Sequence, residues 1–156
     1  MSNTDPAFIH LRVRSAYSLL QGALPIAKLA KLSVANDFPA IALTDQNNLF
    51  GILEFSNKLA DAGVQPIAGL TLSVDFGDSN VDPSRAALNG AKPDAVLSGD
   101  IALLAMNDAG YANLMKLGSQ AFFDPVETEP PHVMIKRLEE HHDGLIVLTG
   151  GPEGPI

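Results

Sequence analysis

The residues that could perform chemistry fall in three short stretches, 10–18, 43–49 and 69–71. In the first stretch His10, Arg12 and Arg14 alternate with apolar residues, so an extended backbone would place all three on one face. The second stretch carries the carboxylate of Asp45. Imidazole, guanidinium and carboxylate groups gathered in one cluster could hold a metal ion, bind a phosphate or form an internal ion pair.

Ordinary structural roles compete with each of these functions. His10 is a single imidazole, and such a residue is more often packed and hydrogen-bonded than bound to a metal. Asp45, together with the two asparagines at 47 and 48, could cap a helix that starts near Leu49. Arg12 and Arg14 could be charged residues at a strand end, although two arginines directed into an interior are costly unless they are paired. The sequence contains no Ser-His-Asp order, glycine-rich phosphate loop or basic aromatic strip for single-stranded DNA.

The elements that must position these residues alternate along the chain. Continuous apolar runs predict strands over 8–13, 39–44, 66–76, 101–106 and 145–149. Helical spacing predicts helices over 25–34, 49–62, 107–122 and 133–142, the third of them capped by Asn107. This alternation favours an α/β fold with mainly parallel strands covered by helices. The carboxyl ends of such strands meet at one edge, which would bring the three polar stretches together.

Length and composition bound the class of protein. The 156 residues suffice for one domain, and the absence of cysteine excludes disulfides and thiolate metal sites. A formal charge of −8 argues against direct DNA binding by this segment. No apolar run is long enough for a membrane span, and the lack of cysteine fits a reducing cytoplasm. Residues 77–99 are small and polar and are expected to form an exposed, mobile excursion without a site. The last strand is followed by glycines and prolines, which favours a domain that is truncated here.

Several motifs in one order carry a family resemblance. Residues 10–22, His-Leu-Arg-Val-Arg-Ser-Ala-Tyr-Ser-Leu-Leu-Gln-Gly, resemble the opening motif of the PHP (polymerase and histidinol phosphatase) domain at the N-terminus of bacterial DNA polymerase III alpha subunits. That motif has a His-x-His pair, then Ser-x-Tyr-Ser and Asp-Gly. Residues 42–51, Ala-Leu-Thr-Asp-Gln-Asn-Asn-Leu-Phe-Gly, are similar to the family's Thr-Asp-His-x-Asn-Leu-x-Gly. The likeness continues through 65–69, 104–114 and 144–150, and so covers nearly the whole chain outside 77–99.

The resemblance implies an incomplete, distorted (β/α) barrel of the PHP type whose metal site is degenerate. Its vestigial metal-site positions in this chain are Arg12, Arg14, Gln21, Asp45, Gln46 and Thr71. Only Asp45 among them retains a ligand of the expected kind, and later ligands would lie beyond Ile156. No metal, no other cofactor and no catalytic residue is therefore expected in residues 1–156. An ion pair of Arg14, and of Arg12 beside it, with Asp45 is expected to replace the metal charge.

The resemblance also implies a function for the longer protein. That protein would be a DNA-directed DNA polymerase whose catalytic carboxylates lie outside this chain. The segment would support the polymerase core and offer a surface to the proofreading exonuclease subunit. Two alternatives remain open at this point: a metal-dependent phosphoesterase or 3'-5' exonuclease domain, and a phosphate-binding module that uses Arg12 and Arg14.

Overall fold

A computed structural model of the chain describes residues 8–77, 98–125 and 128–149, together with residue 154. The expected excursion over 77–99 falls largely on residues 78–97, which lie outside the described residues. The helices are α1 (Ile26–Ala35), α2 (Ile52–Asp61), α3 (Asp108–Phe123) and α4 (Ile135–Glu140). The strands are β1 (Ala40–Leu43), β2 (Gln65–Asp75), β3 (Ser98–Ala105), β4 (Val133–Met134) and β5 (Leu145–Leu148).

The five strands form one open sheet in the order β1-β2-β3-β5, with β4 paired to the end of β2. β1 and β4 run parallel to β2, whereas β3 is antiparallel to β2 and β5 is antiparallel to β3. The α/β class is confirmed, but the strands are mixed in direction and not mainly parallel. A continuous apolar run indicates that both faces of a strand are covered and carries no information about its direction.

The first predicted strand, 8–13, is replaced by an extended segment on the outer edge of β1. It forms a single parallel bridge between His10 and Ile41. Within the described residues, its carbonyls accept two backbone hydrogen bonds from this edge, at His10 from Ala42 and at Val13 from Thr44, each at 2.8 Å. Too few ladder bonds form for a regular strand, because the chain turns away after Arg14. The segment nevertheless delivers residues 14–21 to the carboxyl end of β1.

Two buried apolar clusters hold the sheet and helices together. One lies between the centre of the sheet, α3 and α4, and its buried members include Leu70, Leu103 and Leu117. The other joins β1 to α1 and α2 around Phe55. Leu49 packs against both clusters, so the loop after β1 sits at their junction. Each fully buried leucine or phenylalanine contributes roughly 1.5–3 kcal/mol relative to an exposed one.

Local signals explain most element ends. Gly63 ends α2 in the left-handed region, with a φ of 74°. The side chain of Asn107 accepts a hydrogen bond from the Gly110 amide at 3.0 Å, which confirms the predicted cap of α3. The helix predicted over 133–142 starts later, because Val133 and Met134 instead pair with the end of β2. None of the helices in the described ranges combines the length and apolar character that a membrane crossing requires.

Candidate functional site

The carboxyl end of β1 carries two polar clusters that lie on opposite sides of the backbone. Asp45 and Gln46 follow β1 in an extended conformation, so their side chains point in opposite directions. The same alternation separates Arg14 from Ser15 on the neighbouring segment. Ser15 meets Asp45 on the buried side, and Arg14 meets Gln46 on the half-buried side.

Asp45 is the centre of the buried cluster and is 1% exposed. Its Oδ1 accepts hydrogen bonds from the Ser15 amide at 2.7 Å and from Ser18 Oγ at 2.6 Å, and its Oδ2 accepts from Ser15 Oγ at 2.7 Å. The Ser15 hydroxyl in turn accepts a hydrogen bond from the Tyr17 backbone amide, and the Ser18 hydroxyl accepts one from the Gln46 backbone amide. A buried carboxylate without partners would be strongly destabilising, and these donors offset that cost.

The expected capping role of Asp45 is wrong. α2 begins only at Ile52, its N-cap is Gly51, and no side chain caps it. Asn48 instead stabilises the preceding turn, where its Oδ1 accepts from the Phe50 amide at 3.2 Å. Asp45 therefore fastens the turn at residues 15–18 to the end of β1.

Arg14 is the centre of the half-buried cluster. Its Nη1 donates to Gln21 Oε1, and its Nη2 donates to Gln46 Oε1 at 2.7 Å. Nη2 also lies 3.5 Å from Asp100 Oδ2, and the side chains of Arg14 and Asp100 are each 17% exposed. The expected pairing of Arg14 with Asp45 is wrong, because Asp45 lies on the other side of the backbone and is saturated by serine donors.

The Arg14 cluster extends across the centre of the sheet. Gln46 Nε2 donates to Asp100 Oδ1 at 3.1 Å and to Ser73 Oγ at 3.0 Å. Ser73 Oγ in turn donates to Asp100 Oδ1 at 2.8 Å. Ser73 on β2 and Asp100 on β3 are direct cross-strand partners. The cluster therefore connects the turn at 14–21, the end of β1, β2 and β3.

Asp100 and Ser73 are functional candidates that the sequence patterns did not reveal. Asp100 stands beside the stretch interpreted as an excursion and immediately before a wholly apolar run. A signal was present in β2, where Thr71 and Ser73 alternate with buried leucine and valine and mark a polar face. The partner of that face, Asp100, is supplied by β3. The pairing of β2 with β3 is a long-range contact, so local sequence patterns could not reveal it.

The remaining predicted positions do not join this cluster. Thr71 is fully buried, and its hydroxyl donates to the Thr44 carbonyl at 2.8 Å. Arg12 is exposed, and within the described ranges no hydrogen bond or ion pair of its side chain is found. It lies with Arg14 and Gln21 on the wall of an open cavity of about 460 Å³.

The donor set of the Arg14 cluster does not suit a metal ion. It offers one carboxylate and two amides, and a guanidinium already occupies the space between them. A divalent cation would be repelled by that charge and would find too few anionic ligands. Among the residues in the described ranges, no group of three or more histidine, cysteine, aspartate or glutamate side chains could hold a metal ion.

Comparison with known proteins shows that the chain belongs to the PHP domain family. A family model described as the PHP domain matches residues 10–156. DNA polymerase III subunit alpha of Caulobacter vibrioides is 43% identical over 149 residues, which cover 96% of this chain and 12% of that protein. The subunit from Vibrio cholerae is 35% identical and is matched over 98% of this chain and 12% of its own length. The chain thus spans about an eighth of these relatives.

One solved structure of similar shape is an amidohydrolase from Chromobacterium violaceum. The match has a TM-score of 0.48 and 22% sequence identity. It covers 72% of this chain and 34% of that protein.

Proposed function

Because this chain belongs to the PHP domain family, we propose that it is the N-terminal PHP segment of a DNA polymerase III alpha subunit and that its ancestral metal site now has a structural role. The observation that carries the proposal is the guanidinium of Arg14, bound by Gln21, Gln46 and Asp100 where metal ligands would be expected. A fixed side-chain cation takes the place of a bound one. The segment itself contributes no catalytic group.

The structural role follows from what the two clusters connect. The half-buried cluster joins the turn at 14–21 to β1, β2 and β3, and the buried cluster joins the same turn to the end of β1 through Asp45. Without these bonds the turn would have only short stretches of backbone pairing to hold it. The polar residues thereby stabilise the carboxyl edge of the sheet without an ion.

The activity of the longer protein is part of the proposal. Nucleotide addition to a primer would use carboxylates outside this chain, and the segment would support that polymerase core in the cytoplasm. The rest of the polymerase chain is its first partner, and the proofreading exonuclease subunit is a further one, as the family resemblance implies.

The two alternative functions are less well supported by the same contacts. A metal-dependent phosphoesterase or exonuclease needs ligands where this chain has Arg14, Gln21 and Gln46. A phosphate-binding module would need free guanidinium donors, but those of Arg14 are directed at internal acceptors and the Asp100 carboxylate would repel an anion. Of the two arginines on the cavity wall, Arg12 is the one for which the described residues supply no internal acceptor.

The test is elemental analysis of the full polymerase subunit, combined with a manganese-supplemented phosphoesterase assay. We expect no stoichiometric zinc, manganese or iron attributable to this domain and no phosphoesterase activity. The melting transition of this domain should be the same with and without EDTA, since no ion is expected to contribute to the folding of the domain. A metal ion that remains bound through dialysis and is lost when Arg14 is replaced by alanine would refute the structural role.

A further inference from the structure

A groove beside the loop at 47–50 is separate from both polar clusters. It has a volume of about 590 Å³ and runs between this loop and α3. Its helical wall includes Tyr111, Met115 and Phe122, which follow one another at the spacing of one helix face. Phe50 lies on the opposite wall and is 74% exposed, and Phe123 at the end of α3 is 84% exposed.

The lining of the groove has the composition of a protein interface. Among the described residues, those that line it include no lysine, arginine, aspartate, glutamate or histidine, although the chain has 10 basic and 18 acidic residues. Interface centres are depleted in charged residues and enriched in aromatic residues and methionine. Because the described part of the lining has no cationic side chain, a nucleic acid is disfavoured as the occupant, and because it has no anionic ligand, a metal ion is disfavoured too.

The loop wall is held in place before any occupant arrives. Asn47 accepts from the Ser73 amide at 3.0 Å and donates to the Pro131 carbonyl at 3.1 Å. Asn48 donates to the Tyr17 carbonyl at 3.2 Å. A preformed wall lowers the entropic cost of binding. The loop is also continuous with Gln46, so the Arg14 cluster and the groove share one support.

The floor of the groove is opened by a glycine in α3. A Cβ placed on Gly118 would have one neighbour within 4 Å, the Leu70 Cδ2 atom at 3.7 Å. The missing side chain leaves room between the turns that carry Met115 and Phe122. An apolar side chain from another segment could enter there and contact the helix backbone directly.

We propose that this groove binds an apolar segment of the same polypeptide, supplied by the part of the polymerase chain outside residues 1–156. The proposal rests on the function proposed above. Since the chain spans 12% of its Caulobacter relative, most of such a polypeptide lies outside it. A tethered segment acts at an effective concentration of about millimolar, which favours it over a separate protein for an apolar groove.

The decisive experiment places a photo-crosslinking benzophenone amino acid at Phe122 of the full-length polymerase subunit. We expect a crosslinked product with the mass of a single chain, in which the captured peptide lies outside residues 1–156. The same probe at Leu53, which is 73% exposed on α2 and does not line the groove, should not capture that peptide. A product of twofold mass, an adduct with a different subunit, or capture confined to residues 1–156 would each overturn the proposal.

A second measurement avoids the bulky probe. Residues 1–156 contain no cysteine, so Met115→Cys and Leu53→Cys each introduce a single thiol into this domain. In the folded full-length subunit we expect maleimide to label Cys at 115 at least about tenfold more slowly than Cys at 53, as at a protected site. Equal rates in the folded protein would refute coverage of the groove. They would leave the structural role of Arg14 intact, because that role is tested by metal content.

Discussion

Two adjacent residues, Asp45 and Gln46, belong to different polar clusters. The carboxylate of Asp45 is fully buried, whereas Gln46 contacts the half-buried charges of Arg14 and Asp100. The carboxylate of Asp45 accepts its hydrogen bonds from hydroxyl and amide donors that carry no formal charge. Gln46 uses its amide to align two charged groups, since its oxygen accepts from Arg14 and its nitrogen donates to Asp100. The guanidinium stays near the surface, where its desolvation cost is smaller than in the core.

Asp45→Asn tests the buried cluster. The substitution keeps the side-chain shape but places an NH₂ group against hydrogen-bond donors and removes the charge that strengthens three bonds. We expect unfolding free energy to fall by about 3 kcal/mol, measured by urea denaturation. Asp61→Asn, at the exposed end of α2, is the matched control and should change stability by less than about 0.5 kcal/mol. Similar losses for the two variants would mean that the buried hydrogen bonds contribute little.

A double-mutant cycle tests the ion pair of the half-buried cluster. Arg14→Met keeps most of the stem, and Asp100→Asn keeps the shape of its partner. We expect a coupling free energy of about 1 kcal/mol, because both side chains are only 17% exposed. The control cycle uses Lys58 and Glu54, a pair at 3.8 Å with 44% exposure on each side, and should give less than about 0.5 kcal/mol. Additive losses at Arg14 and Asp100 would exclude a direct interaction.

Residue types in the sequence indicated where the polar site lies better than they indicated which side chains contact one another there. The family resemblance grouped Arg14, Gln21 and Gln46, and Arg14 does donate hydrogen bonds to both glutamines. Whether their positions descend from metal ligands stays a prediction. Asp100 could not be found in this way, since it lies 86 residues from Arg14 and reaches it only through the pairing of β2 with β3.

At the scale of elements, α3 and the turn before β5 are in unusually close contact. A Cβ added to Gly110 would lie 1.9 Å from the Gly144 carbonyl oxygen. Gly144 has a φ of 73°, a conformation that other residues adopt at a cost. Its carbonyl accepts a hydrogen bond from the Met106 amide at 2.8 Å. Glycine at both positions therefore lets the start of α3 pack directly on the chain that enters β5.

Two glycines of α3 give a matched test of this packing. Gly110→Ala should lower unfolding free energy by roughly 2–4 kcal/mol, because a methyl group cannot fit without moving backbone atoms. The methyl group of Gly118→Ala would make only an ordinary van der Waals contact, at 3.7 Å from Leu70 Cδ2, so its better helix propensity should raise stability by about 0.5–1 kcal/mol. Thermal and urea unfolding of both variants would provide the comparison. A stabilising Gly110→Ala would show that the contact with Gly144 relaxes easily.

Helices were more predictable than strands because their signals are local. Apolar spacing and the Asn107 cap located α3 within one residue at each end, and Gly63 marked the end of α2. Strand β4 has two residues and owes its existence to pairing with β2, so no pattern within it could reveal it. The direction of β3 likewise depends on a distant neighbour.

At the scale of the whole molecule, the sheet ends at an apolar strand. β5 consists of Leu145, Ile146, Val147 and Leu148, and among the described residues it pairs only with β3. Its two central side chains are 45% and 46% exposed. An apolar edge strand is a site for further pairing. This edge and the groove beside α3 are two separate surfaces that a longer polypeptide could cover.

The charge of the molecule leads to the last prediction, which concerns DNA. A chain of formal charge −8 repels a phosphate backbone, and release of counterions requires lysine and arginine that this segment does not concentrate. We expect residues 1–156 to bind duplex or primed DNA more weakly than about 10⁻⁴ M at physiological salt, measured by fluorescence anisotropy. The full polymerase subunit is the positive control and should bind with a strong salt dependence. Salt-sensitive binding by the short chain that is lost in Arg12→Ala would contradict this expectation and would show that the exposed arginine meets phosphate after all.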